Sequence, residues 1–259
     1  MTALCARCAY AACFGFFAVV IVSLIIKSNP EFWLSGIGKC RVEEPQISIE
    51  DAFNRNGQST CVLITGASSG LGQGIAQILS EYENVQLILT GRTKARAENA
   101  IKTNRPLLLA SALELEDVKS IDAFVEQVKS VVSSSKCNGV LHYAFFNAGA
   151  IYSMGYEGPF HSLDGKNDKL IALNFIGTAR LLQGLQPLLN QSNTRVVLVS
   201  SNGHYVINKE EHLLQPQPQT KQGNPYLQHQ MYAASKFGMQ VMYEKARERN
   251  MNILSVRFL

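Results

Sequence analysis

From about residue 59 onward, short apolar runs alternate with longer stretches in which apolar residues recur every three or four positions. The runs CVLIT (61–65), VQLILT (85–90), PLLLASA (106–112), VLHYAFF (140–146), RVVLVS (195–200) and NILSVRF (252–258) carry few charges. Runs of this kind predict strands buried on both faces. Between them, residues 71–81, 93–101, 117–132 and 168–189 have helical spacing, and a further helix carries MYAASK (231–236). Strands alternating with helices imply right-handed crossovers and a parallel sheet covered on both sides. The predicted fold is α/β, a doubly wound parallel sheet of the Rossmann type over residues 59–259.

Upstream the periodicity is lost. Residues 28–58 mix Pro, Gly and charge and read as a linker with room for one short helix. Residues 8–26, CAYAACFGFFAVVIVSLII, contain no charge and are long enough to cross a bilayer as a helix. Arg7 and Lys27 flank this run, and Phe32 and Trp33 suit the interface beyond it. The expectation is an N-terminal transmembrane anchor over residues 1–27. A cleaved signal peptide is the competing reading, opposed by the length of the run and the lack of a small-x-small cleavage site. Basic residues on both sides leave the orientation open.

Composition narrows the picture further. A chain of 259 residues with 46% hydrophobic content can bury the core of one domain. The net charge of +4 is spread without basic stripes, so nucleic acid is not an expected partner. Cys5, Cys8 and Cys13 lie in or beside the apolar segment, which leaves Cys40, Cys61 and Cys137, too few for a disulfide framework. Cys5-x-x-Cys8 lacks the second pair that a zinc site needs, and no metal site is expected. The pair is incidental or a site of acylation.

The chemistry begins where the first strand meets the first helix, at TGASSGLG (65–72). Gly66 allows a tight turn, Gly70 lets backbone approach a pyrophosphate, and Gly72 lets helix and strand pack closely. Ser68, Ser69 and Leu71 complete a turn that aims helix N–H groups at phosphates. A glycine-rich turn alone is weak evidence; the strand–turn–helix context is what the motif requires. The second strand ends in LTGRTKAR, without the carboxylate that would accept from a ribose 2′-hydroxyl. Arg92 either forks onto a 2′-phosphate, which favours NADP(H), or opens a solvated helix.

These residues, with others in order along the chain, resemble the short-chain dehydrogenase/reductase family over residues 59–259. The family's glycine pattern matches Gly66, Gly70 and Gly72, and its Asn-Ala-Gly matches Asn147, Ala148 and Gly149. Its helix asparagine matches Asn174, and its strand-end serine matches Ser201, with Ser200 the alternative. Its Tyr-x-x-x-Lys pair matches Tyr232 and Lys236, one helical turn apart. The resemblance implies a catalytic set of Asn174, Ser201, Tyr232 and Lys236. Ser201 would hold a carbonyl and Tyr232 would donate its proton, with Lys236 favouring the phenolate and bonding the nicotinamide ribose. Asn174 would position a water that relays protons through Lys236, or would only bond a neighbouring backbone. Where the family carries Asp near the adenine, this chain has Glu114, one methylene longer.

Thirty residues separate Ser201 from Tyr232, and their SSxxH start and polar middle resemble the retinol-dehydrogenase-like branch. That branch implies a single-pass protein of the endoplasmic reticulum membrane. It also implies an NADP(H)-dependent interconversion of a lipophilic alcohol and its carbonyl, of the retinoid, steroid or fatty aldehyde class, and a homodimer. His204 reads as a loop residue. After NILSVRFL the family continues with a substrate loop, a helix and a seventh strand, so the domain is expected to be truncated and its sixth strand left at an edge. The rival to an active enzyme is a membrane-tethered nucleotide-binding or interaction protein on the same fold.

Overall fold

The computed structural model describes residues 53, 58–102, 106–152, 161–206 and 225–258. The expected anchor, the cysteines before Cys61 and most of the stretch between Ser201 and Tyr232 lie outside the described residues. Among those described, no helix is long and apolar enough to cross a membrane.

Six strands form one sheet: β1 (Thr60–Ile64), β2 (Val85–Gly91), β3 (Leu109–Ala112), β4 (Tyr143–Phe146), β5 (Arg195–Ser201) and β6 (Ile253–Phe258). Every pairing is parallel, in the order β3-β2-β1-β4-β5-β6. Strand order reverses between β1 and β4, and in doubly wound sheets ligands bind at that point, beyond the carboxyl ends of the strands. Helices α1 (Gly70–Leu79), α2 (Lys94–Glu98), α3 (Val118–Val132), α4 (Thr178–Gln191) and α5 (Pro225–Glu248) cover the sheet. The burial of β1 shows why its run has no polar alternation. Cys61 and Leu63 join the core beneath α3, α4 and α5, while Val62 and Ile64 join the core beneath α1.

Three features depart from the sequence reading. Residues 171–177 form a π-helical turn that leads into α4, so the predicted helix 168–189 is not a uniform α-helix. The extra residue per turn leaves the apolar spacing nearly intact, which is why periodicity does not reveal it. Within the expected linker, Phe53 is a core residue. It is 1% exposed and its ring lies 5.3 Å from that of Tyr143. Finally, Cys61 and Cys137 form a disulfide although the cysteine count predicted no framework. Cys61 lies on β1 and Cys137 in the turn entering the neighbouring β4, and that adjacency comes from the topology rather than from their spacing.

Candidate active site

The carboxyl ends of the strands border a cleft of about 720 Å³. Its walls include Gly66, Ser68, Ser69, Gly70, Leu71, Arg92, Glu114, Asn147, Ala148, Gly149, Ser201, Tyr232 and Lys236. Two residues singled out from the sequence, Gly72 and Asn174, stand behind this surface rather than on it. Each has a local physical reason for its place.

The glycine-rich turn is shaped by conformation and by contact. Gly66 and Gly70 have φ of +66° and +57°, backbone that disfavours side chains. A Cβ on Gly70 would meet nothing within 4 Å, which leaves open space above the turn. A Cβ on Gly72 would instead strike the Asn147 amide and the Gly66 carbonyl, so this glycine permits packing. Helix α1 starts after Ser69 with no side-chain cap, leaving its first N–H groups directed at the cleft. Among the described residues, these groups and the open space over Gly70 fit the pyrophosphate of a dinucleotide, and Arg92 and Arg96 line the same cleft.

Two threonines that sequence reasoning passed over hold this turn. Thr65 Oγ1 accepts from the N–H groups of Asn147 and Ala148, both at 3.0 Å, and joins β1 to β4. Thr90 Oγ1 accepts from Gly66 N at 3.1 Å and joins β2 to the same turn. The Asn147 amide donates to the carbonyls of Thr65 and Gly66 at 3.0 and 3.2 Å. Its side chain therefore braces the cradle instead of reaching into it. Glu114 stands at the end of β3 with its carboxylate accepting from Glu116 N at 3.3 Å and its own N–H bonded to Ser120.

The opposite wall gathers Ser201, Tyr232 and Lys236 from β5 and α5. Ser201 Oγ accepts from Gly203 N at 3.1 Å, and a Cβ on Gly203 would lie 3.5 Å from both that hydroxyl and the Tyr232 ring. Ser200 points its hydroxyl at the Lys236 carbonyl, 3.4 Å away, so Ser201 is the better placed of the two serines. His204 is buried and its Nδ1 bonds the Ser201 carbonyl at 2.5 Å, which makes it a support for the serine. Burial lowers its pKa below the ordinary imidazole value. Asn174 Oδ1 accepts from Ala150 N at 2.7 Å, and its Nδ2 donates to Ala150 O at 2.8 Å and Ser235 Oγ at 3.0 Å. The Asn174 side chain thus makes a backbone bond of the kind the sequence reading allowed, to Ala150.

Lys236 is 5% exposed, with Nζ 5.7 Å from the Tyr232 ring centroid and donating to Val199 O at 3.1 Å. Gly149 gives it room, since a Cβ there would lie 3.3 Å from Nζ and 3.2 Å from Asn174 Oδ1. Burial lowers the Lys236 pKa from 10.5 to about 8. Between these values the unfolded chain holds a proton that the folded chain lacks, so stability rises with pH across that window. Below pH 8 the folded protein carries the whole penalty, about 3 kcal/mol. Replacing Lys236 with Met is therefore expected to stabilise the protein near pH 7, with the gain shrinking toward pH 10. Chemical denaturation of both proteins across this range checks it.

The chain is similar to known proteins in sequence and in fold. A family model described as short chain dehydrogenase matches residues 60–209. The short chain dehydrogenase rstn4 of Aspergillus nomiae is 31% identical over 160 residues, 56% of this chain and 40% of that protein. The short chain dehydrogenase FGM9 of Gibberella zeae is 31% identical over 177 residues, covering 66% and 50% of the two chains. The chain thus spans about half the length of the curated relatives it matches. Among solved structures, an alcohol dehydrogenase of Thermococcus sibiricus complexed with 5-hydroxy-NADP superposes with a TM-score of 0.55 at 16% identity, covering 77% of this chain and 75% of that one. A short chain dehydrogenase/reductase family oxidoreductase of Brucella ovis, in complex with a partially ordered NAD, gives 0.56 at 18%, covering 77% and 83%. At these identities the superpositions establish the fold.

Proposed function

The chain belongs to the short chain dehydrogenase family, and from that premise we propose that it is an NADP(H)-dependent oxidoreductase interconverting a lipophilic alcohol and its carbonyl. The observation that carries this reading is the convergence of Ser201, Tyr232 and Lys236 on one wall of a cleft whose other wall is the glycine-rich turn. When bound, the nicotinamide supplies or takes up the hydride. In the reductive direction the Ser201 hydroxyl holds the substrate oxygen, and Tyr232 gives that oxygen its phenolic proton as the carbon gains hydride. A phenol has an ordinary pKa of about 10, too high for efficient proton transfer near neutrality. The Lys236 ammonium, still mostly charged at neutral pH with a pKa of about 8, lies 5.7 Å from the ring centroid and stabilises the negative charge that develops on the phenol oxygen as the proton leaves. Alcohol oxidation runs the same steps in reverse.

The NADP(H) preference rests on Arg92 and Arg96 at the cleft wall and on the lack of a carboxylate after β2. A guanidinium bond to a 2′-phosphate contributes about 1.5–3 kcal/mol. Arg92→Glu in the full-length chain is therefore expected to weaken NADPH binding roughly 10- to 100-fold and to leave NADH binding no weaker. Titration of both nucleotides by protein fluorescence checks this; equal losses for the two would refute the phosphate reading.

The apolar segment 8–26 and the resemblance to the retinol-dehydrogenase-like branch support a lipophilic substrate and a single-pass place in the endoplasmic reticulum membrane. The Cys61–Cys137 bond favours the oxidising, lumenal side of that membrane for the domain. Assembly as a homodimer belongs to the same reading.

A further inference from the structure

One buried hydroxyl near the cleft has no part in the proton and hydride transfers above. Ser235 sits between Tyr232 and Lys236 on α5 and is 0% exposed. Its hydroxyl donates to the Tyr232 carbonyl at 2.7 Å, a back-bond open to any serine inside a helix. It also accepts from Asn174 Nδ2 at 3.0 Å, and that partner lies 61 residues away in sequence, on the π-helical turn. The rest of the Asn174 amide grips Ala150 from both sides, through Oδ1 to its N–H and Nδ2 to its carbonyl. One chain of hydrogen bonds thus runs from the backbone beside Gly149, through Asn174 and Ser235, to the backbone of Tyr232.

We propose, resting on the functional reading above, that Ser235 is a positioning residue for the reaction. It touches neither reacting atom, but it fixes the turn carrying Tyr232 against Asn174 and hence against Ala150, where the cleft floor begins. The other ties of this helical turn go elsewhere: Lys236 Nζ to Val199 O and Ser200 Oγ to Lys236 O hold α5 to β5. Ser235 is, among the described residues, the side chain that ties α5 to Asn174 by a hydrogen bond. Without its oxygen, a buried amide N–H of Asn174 has no acceptor in place, and the asparagine and the tyrosine turn are free to shift relative to each other. A misplacement of about 1 Å between reacting groups can cost on the order of 10²-fold in rate.

The test is Ser235→Ala in the full-length chain, assayed with NADPH and an aldehyde that the wild-type protein reduces. Alanine is the better helix former, so the substitution carries no helical penalty. The expected result is a kcat roughly 10- to 100-fold lower, with KM for the aldehyde and affinity for NADPH within about twofold. Asn174→Ala combined with Ser235→Ala is expected to be no slower than Asn174→Ala alone, because the two act as one unit. An unchanged kcat, or losses that multiply in the double variant, would overturn the positioning role while leaving the functional reading intact. A wild-type chain that binds NADPH but reduces no carbonyl would overturn that reading, and this inference with it.

Discussion

Tyr232→Phe is expected to lower kcat/KM by about 10²- to 10⁴-fold, the range that a positioned general acid contributes. The substitution removes one oxygen from a half-buried ring and keeps its packing against Tyr152, Leu170 and Met231. NADPH affinity and thermal stability should therefore stay close to those of the wild type. The combination is diagnostic. A protein that merely binds nucleotides on this fold loses nothing on the substitution, whereas a catalyst loses turnover with binding preserved. Measuring steady-state rates and NADPH titrations on the same preparations separates the two outcomes.

Reducing the Cys61–Cys137 bond is expected to cost the domain up to about 4.5 kcal/mol, the chain-entropy value for closing a loop of this length. The two residues are 76 apart in sequence, 0% and 2% exposed, and they join the first strand to the turn that enters β4. For a domain of this size that loss corresponds to a fall in melting temperature on the order of 10 °C. Cys61→Ser together with Cys137→Ser should reproduce the fall and remove any further effect of reductant. Peptide mapping without reductant should recover the joined peptides. The cradle at the other end of β1 stays in place as long as the domain is folded, so nucleotide binding below the lowered melting temperature should be little changed.

The two kinds of feature differ in how far the sequence reveals them. Strands such as VQLILT and the spacing of Gly66, Gly70 and Gly72 are local patterns, and each is found in the structure within a residue or two of its place in the chain. The grouping of Tyr232, Lys236 and Ser201 was legible through the family resemblance that their motifs and order along the chain carry. Roles that depend on the rotamer of a single side chain were not. Asn147 and Asn174 look alike as asparagines beside a cleft, yet one braces the glycine turn and the other clamps Ala150. Thr65, Thr90 and Ser235 carry no spacing signal of their own; only the neighbours supplied by β4, the glycine turn and the π-helical turn give them work. The disulfide was hidden for the same reason, since only the β1–β4 pairing brings its halves together.

The central claim is hydride transfer within this cleft, and the most direct measurement follows the hydride itself. Full-length protein in detergent would be incubated with lipophilic aldehydes and ketones and with NADPH deuterated at the transferable position. The alcohol products would then be read by mass spectrometry. The account predicts deuterium on the carbinol carbon with the wild-type protein and its near absence with Tyr232→Phe. Saturable NADPH binding with no label reaching any carbonyl, or equal labelling by the two proteins, would contradict it.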